Sequence, residues 1–214
     1  MNIRVLVVAA VVLAMMACSG VYYRTMEKVG IHKRDIMVDR VKAARDTQNE
    51  TRQQFVTAME QFKRVVNFKG GDLEKEYNKL NAALKKSEAR ADEVRERIRA
   101  VEDVSEALFD EWRAEMKLYA SDALRRSSLQ KYDATKQKYA ELIKAMKKAE
   151  AKLEPALVPL RDQVLFMKHN LNARAITGLS GEAVVIQANV DKLVKEMEAA
   201  IAEADSFIKD LQTE

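Results

Sequence analysis

The fold is decided by residues 73–112, which read LEKEYNKLNAALKKSEARADEVRERIRAVEDVSEALFDEW. Mostly apolar positions recur along this stretch at alternating steps of four and three residues. They are Leu73, Tyr77, Leu80, Leu84, Ser87, Ala91, Val94, Ile98, Val101, Ser105, Leu108 and Trp112. Such a stripe lies along one face of an α-helix and is typical of helices that pack in bundles or coiled coils. The stretch therefore predicts one long amphipathic helix.

Three further segments carry the same kind of stripe, which predicts four helical segments in total. The segment before residue 70 contributes Met37, Val41, Ala44, Gln48, Thr51, Phe55, Ala58, Phe62 and Val65, and its middle is polar. The third contributes Tyr132, Lys136, Tyr139, Ile143, Met146, Ala149, Leu153, Leu157, Leu160, Val164, Met167 and Leu171. The fourth contributes Ile186, Val190, Leu193, Met197, Ala200, Ala204, Ile208 and Leu211.

Turn-forming residues are scarce in these 214 residues, with two prolines and six glycines. A β-sheet protein of this size needs many turns, so the composition argues against all-β and α/β folds. Gly70-Gly71 ends the first helix, Asp72 is a good N-cap for the second, and Gly178 precedes the fourth. Pro155 and Pro159 predict a kink, or a break, near residues 151–158.

The turn between the second and third helices carries neither Gly nor Pro, and we place it at residues 119–128, where serines are the capping candidates. Without this turn, residues 72–175 would form one rod that needs a partner chain, so an oligomer stays open. The second and third helices are longer than the other two. The sequence therefore predicts an all-α, up-down four-helix bundle whose helix 2/helix 3 hairpin projects at the end where helix 1 begins.

Charge supports antiparallel neighbours. Residues 27–66 carry nine basic and six acidic side chains, and residues 72–115 carry nine and thirteen. Residues 117–174 carry thirteen and six, and residues 182–214 carry three and eight. Successive helices thus alternate in sign. Because the basic charge is spread over two helices and offset by the others, the pI near 9.0 does not indicate a nucleic-acid partner.

The N-terminus has the pattern of an export signal. Arg4 precedes an apolar run from Val5 to Met16, which is short for a membrane span. The run ends at Ala17-Cys18, which resembles a bacterial lipobox, although Met15 and Met16 depart from its usual residues. The resemblance implies cleavage between Ala17 and Cys18, lipidation of Cys18 and, with Ser19 following, sorting to the outer membrane. An ordinary signal peptide or an uncleaved anchor is the alternative.

This interpretation divides the chain into a signal peptide at residues 1–17, a lipidated N-terminus and tether at 18–32, and a helical domain at 33–214. Within that domain the projecting turn carries candidate surface or membrane contacts at Lys117, Tyr119, Leu124, Arg125 and Arg126. Basic and apolar side chains together suit an anionic lipid surface. The alternative is an ordinary solvated turn.

No pattern for catalysis, a cofactor or a metal emerges from the residues. A di-iron bundle needs Glu three residues before His, but Val29 precedes His32 and Phe166 precedes His169. A haem ligand at His169 is a weaker alternative. Phosphate loops and Gly-x-Ser-x-Gly elbows do not occur in the sequence. We therefore expect no enzyme, no cofactor and no metal site.

Residues 165–176, which read LFMKHNLNARAI, together with GIHKRDI at 30–36, resemble a family of uncharacterised proteobacterial lipoproteins that carries only a domain-of-unknown-function label. The resemblance implies a helical envelope lipoprotein without known catalytic residues. From the residues themselves, His169, Asn170 and Asn172 form a structural polar cluster, in which the asparagines satisfy helix carbonyls and His169 pairs with a carboxylate of helix 4.

The expected function is that of a non-enzymatic, lipid-anchored periplasmic protein with a structural, scaffold or adaptor role in the Gram-negative envelope. Its partners would be the membrane, through Cys18, and an envelope protein or peptidoglycan. The alternative is a binding module for a lipid or small apolar ligand, held between the kinked helices near Pro155 and Pro159.

Overall fold

The structure, a computed structural model, describes residues 32–172, 176 and 178–213. Its helices are α1 (Lys33–Val66), α2 (Leu73–Glu115), α3 (Asp122–Glu150), α4 (Leu153–His169) and α5 (Ser180–Thr213), and a 3-10 turn covers Met116–Leu118. These ranges contain no strand, and none of their helices has the length and apolar character to span a membrane. The predicted signal peptide, Ala17, Cys18 and the tether up to residue 31 lie outside the described residues.

The helices form a four-armed antiparallel bundle in which α3 and α4 together make the third arm. α1 packs against α2 and α5, and the third arm packs against the same two helices from the other side. Ion pairs set the direction, because Lys33 at the start of α1 meets Glu111 near the end of α2, and Lys138 in α3 meets Asp210 near the end of α5. The predicted up-down bundle is confirmed.

The predicted stripes supply most of the core, and buried residues beside them, including Ile36, Met59, Val104 and Phe207, complete it. Every stripe position of α1 and α5 is buried, as is the α2 stripe from Leu80 to Leu108. The prediction was wrong in α3, where Lys136 is exposed and Ile143 is half-buried, while Thr135 and Leu142 are buried. From Tyr132, the buried stripe steps first by three residues and then by four, whereas the predicted stripe steps first by four and then by three. The sequence allowed both registers because Leu142 and Ile143 are adjacent and both apolar.

The turn between α2 and α3 lies at Tyr119–Ser121, inside the predicted range, so the single-rod alternative is wrong. The Ser121 side chain caps α3 by accepting from the backbone N–H of Leu124 at 3.4 Å. Because Glu111 is level with Lys33, the last residues of α2 and the first turns of α3 extend beyond α1 and α5. The hairpin therefore projects, as predicted.

The third arm is interrupted at Ala151–Lys152, at the start of the range predicted for the prolines. Pro155 has no N–H to continue the ladder, and the Lys152 N–H bonds three residues back, to the Ala149 carbonyl, at 3.0 Å. Pro159, inside α4, leaves the carbonyl of Pro155 without its helical donor. The Asn189 amide of α5 fills that role at 3.0 Å, so the neighbouring helix repairs the defect.

The turn between α1 and α2 places two glycines in a backbone conformation that residues with a Cβ rarely adopt. Gly70 and Gly71 have φ values of 146° and 109°, both in the region that favours glycine. Asp72 then accepts from the Lys75 N–H at 2.9 Å and caps α2, as predicted.

Most ion pairs between helices follow the predicted alternation of sign, whereas Arg90–Glu50 and Arg95–Glu154 join a basic residue of the acidic helix α2 to a glutamate of a basic arm. Arg45 and Arg52 of α1 reach Asp205 and Glu198 of α5, both within 2.8 Å. The third arm does the same through Lys138–Asp210, Lys148–Glu196, Lys147–Glu102 and Arg161–Glu88. The hydrogen bond to Asp205 raises the pKa of Arg45, and the one to Glu102 raises the pKa of Lys147. Exposed pairs contribute only ~0–1 kcal/mol each, so they select neighbours more than they stabilise.

Two buried glutamines of α1 differ in whether their side-chain amides are hydrogen-bonded. Gln54 is 8% exposed, and its amide donates to the Ala83 carbonyl of α2 at 3.0 Å. Gln48 is fully buried, and neither its Nε2 nor its Oε1 has a hydrogen-bond partner among the described residues. An unpartnered buried amide costs about 1–3 kcal/mol.

We predict that Gln48→Met raises the free energy of unfolding by about 1–3 kcal/mol, because a side chain of similar shape replaces an unsatisfied amide. The matched control, Gln54→Met, should lower it by about 1 kcal/mol because it removes a hydrogen bond. Urea unfolding followed by circular dichroism measures both. Equal destabilisation by the two variants would mean that the Gln48 amide has a partner, and the prediction would then be wrong.

Candidate functional site

The projecting end of the hairpin, residues 113–131, is called the tip below. Almost every side chain in it is exposed; only Met116 and Ser128 are half-buried. The exposed set includes large apolar residues that bundle packing does not use: Leu118 (81% exposed), Leu124 (58%), Leu129 (46%) and Tyr119 (41%). Apolar exposure on this scale, in a segment of nineteen residues, marks the tip as the strongest candidate for contact with something outside the chain.

The tip is basic as well as apolar. It carries five basic side chains against two acidic ones. Arg125 pairs with Asp122 on the same helix, and Arg113 pairs with Asp110, whose hydrogen bond raises the pKa of Arg113. Lys117, Arg126 and Lys131 are exposed.

All five sequence-predicted contact residues, Lys117, Tyr119, Leu124, Arg125 and Arg126, lie in the tip and are exposed. Sequence analysis missed Leu118, Leu129 and Lys131, which share the same segment. Leu118 could have been identified from the sequence, since it is a large apolar residue directly beside a turn that needs only polar residues.

An aromatic cluster supports the tip where it leaves the bundle. The Phe109 and Trp112 rings of α2 meet the Tyr132 ring of α3 edge-on, at centroid distances of 5.5 and 5.7 Å. Phe109 also contacts Tyr139 at 5.6 Å, and Lys136 Nζ lies 5.6 Å from the Tyr132 ring centre. Burial raises the pKa of Tyr139.

One cross-hairpin hydrogen bond adds to this cluster. Trp112 Nε1 donates to Ser128 Oγ at 2.9 Å and joins α2 to α3 at the level where α1 begins. Together with the Ser121 cap, these contacts hold the two helices of the tip in a fixed relation. The sequence had placed Trp112 and Tyr132 in stripes, but their pairing depends on where the hairpin turns.

The predicted polar cluster of His169, Asn170 and Asn172 lies at the end of the bundle opposite the tip. Asn170 Nδ2 donates to the Phe166 carbonyl at 3.0 Å and so satisfies the last turn of α4. The backbone N–H of Asn172 donates to the Asn170 carbonyl at 2.8 Å. His169 is exposed, and the contacts of the described residues include no pairing between it and a carboxylate of α5. The three residues therefore end a helix and do not enclose a site.

Two other kinds of site, a metal centre and a ligand cavity, bear on the sequence-based predictions. Within residues 32–172, 176 and 178–213, no three His, Cys, Asp or Glu residues converge as metal ligands would. Four grooves lie on the surface of the described residues, and α4 lines none of these four. Around the prolines, Leu153, Ala156, Leu157 and Leu160 are at most 1% exposed and fill the core. The ligand-binding alternative gains no support from this packing and stays a prediction.

A family model described as "Protein of unknown function (DUF2959)" matches residues 22–211, which include nearly the whole bundle. No curated protein matches the chain.

We predict that Ser128→Ala loosens the tip, because it removes the acceptor of the Trp112 indole N–H. The expected loss is about 1 kcal/mol of local stability, seen as faster amide hydrogen exchange in residues 116–131. Trp112 is the single tryptophan, so its fluorescence reports the same change. The neighbouring exposed serine is the matched control, and Ser127→Ala should leave exchange and fluorescence unchanged. Identical effects of the two variants would contradict the assigned role of the hydrogen bond.

Proposed function

The chain belongs to the DUF2959 family of unknown function, and we propose that it is a non-enzymatic, lipid-anchored helical protein of the periplasm. Its role would be structural, as a scaffold or adaptor in the Gram-negative envelope. Cys18 would carry the lipid on the outer membrane, and the bundle would face the periplasm. The match to a family without assigned function agrees with the sequence-based resemblance at that level.

The observation that carries this proposal is the direction of the bundle, that is, which of its ends lies nearer to Cys18 along the chain. α1 has 34 residues and is therefore about 51 Å long. It begins at the end from which the chain leads back towards Cys18. A lipid at Cys18 would hold the bundle by that end and present the opposite end about 50 Å further into the periplasm. A rigid spacer of this kind suits a scaffold or an adaptor.

The distal end, where α4 ends and α5 begins, offers a surface for a partner. Leu165 and Phe166 of α4 are 60% and 44% exposed, and Val184 and Val185 of α5 are 71% and 51% exposed. Large apolar side chains at the surface favour a protein partner over peptidoglycan, whose glycan strands are polar. An envelope protein is therefore the better supported of the two proposed partners.

The anchor is tested with Cys18→Ser. We predict that the native chain fractionates with outer membranes, resists extraction by high salt and incorporates radiolabelled palmitate. The variant should lose both the label and the membrane association while keeping the circular dichroism of the bundle, since Cys18 precedes every described helix. Membrane association of a folded, unlabelled Cys18→Ser chain would overturn the lipid anchor.

The adaptor role is tested by photocrosslinking in cells from single positions. A benzoyl-phenylalanine at Phe166 or at Val184 should capture the same envelope protein. Lys192, which is exposed on the polar surface of α5, is the matched control and should capture nothing specific. Cys18→Ser should abolish capture if anchoring is needed to meet the partner. Capture that is equal at all three positions would contradict a partner surface at the distal end.

A further inference from the structure

We propose that the tip binds an anionic phospholipid surface, namely the bilayer in which the Cys18 lipid is held. This inference rests on the proposed lipid anchor and adds a second membrane contact to it. It would fix the orientation of the bundle, which a single point of attachment leaves free.

The composition of the tip is the first argument. Leu118 lies at the apex and is the most exposed large apolar residue of the described chain. Leu124 follows within the first turn of α3, and both are positioned beyond the ends of α1 and α5. Shallow insertion of such side chains among headgroups removes apolar surface from water without needing a membrane span.

Charge is the second argument. The tip has a net charge of +3, from five basic and two acidic side chains. Each basic side chain near an anionic surface strengthens binding by about fivefold. Lys117 is next to Leu118 in the chain and Arg126 is two residues from Leu124, so basic and apolar groups are interleaved as lipid-surface contacts require.

Position is the third argument. α1 begins at the same end of the bundle as the tip, because Lys33 pairs with Glu111 at the base of the hairpin. From Glu111 to Leu118 the hairpin rises about 10 Å further. Residues 18–32 can span up to about 50 Å when extended. A chain held at Cys18 can therefore bring the tip down to the same bilayer.

Rigidity is the fourth argument. The Trp112–Ser128 hydrogen bond and the Phe109, Trp112 and Tyr132 rings fix the two helices against each other. The tip thus presents its leucines and basic side chains as one preformed surface, and binding orders little that is not already ordered.

The experiment places a single environment-sensitive fluorophore on the full-length chain reconstituted in vesicles. Cys18 is the only natural cysteine, so Leu124→Cys supplies a unique free thiol once Cys18 is acylated. Phosphatidylcholine vesicles are compared with vesicles that also contain phosphatidylglycerol. We expect a blue shift and protection from an aqueous quencher only when phosphatidylglycerol is present.

Two controls make the result specific. Lys69→Cys places the same probe at the opposite end of the bundle, where its emission should not change with lipid composition. Lys117→Glu combined with Arg126→Glu should weaken the phosphatidylglycerol response at least tenfold, whereas Lys117→Arg with Arg126→Lys should preserve it. A probe at residue 124 that stays exposed to the quencher on both kinds of vesicle overturns the proposal.

Failure of the anchor is distinguished by the chain without any introduced cysteine. If that chain takes up no maleimide, Cys18 is blocked and the tip result stands on its own. If it is labelled, the anchor proposal fails, and the tip is then judged by sedimentation of the unanchored chain with each vesicle. Sedimentation with phosphatidylglycerol supports the tip contact, and its absence overturns it.

Discussion

Burial of one apolar stripe on each helix is the constraint on which the structure depends. The sequence has one cysteine, so no disulfide within the chain can hold the arms together. Each helix is polar on its outer face, and an isolated helix would leave its stripe in water. Four stripes bury one another in a closed ring, and the length over which they overlap sets the length of the bundle.

The stripe alone does not specify which helices become neighbours, because apolar packing is not directional. The ion pairs add that information, since positive arms alternate with negative ones around the ring. Polar residues within the stripe are tolerated where a carbonyl is within reach: Thr51 donates to Thr47, and Ser87 to Ala83, on their own helices. Gln48 is also a buried stripe position, but its amide has no hydrogen-bond partner among the described residues.

Sequence reasoning was most accurate where one residue decides the structure alone. Gly70 and Asp72 mark the first turn because left-handed φ and capping are local requirements. It failed at Thr135, where the choice between adjacent residues depends on how α3 faces α2 and α5. The break at Ala151–Lys152 begins before Pro155, because the missing N–H releases a carbonyl four residues earlier. The hydrogen bond from the Asn189 amide to the Pro155 carbonyl comes from another helix, so no local sequence pattern predicts it.

The tip shows what the unequal lengths of the helices produce. α1 begins and α5 ends near the level of Glu111 and Trp112, and the Phe109, Trp112 and Tyr132 rings supply a small core at the base of the projecting hairpin. That cluster is sufficient to close the hairpin, so Leu118 and Leu124 are not needed for packing. A turn selected only for closure would carry polar residues at its apex, as the Gly70-Gly71 turn largely does. The leucines and the surrounding basic side chains therefore support the proposed contact outside the chain, at the end where α1 begins.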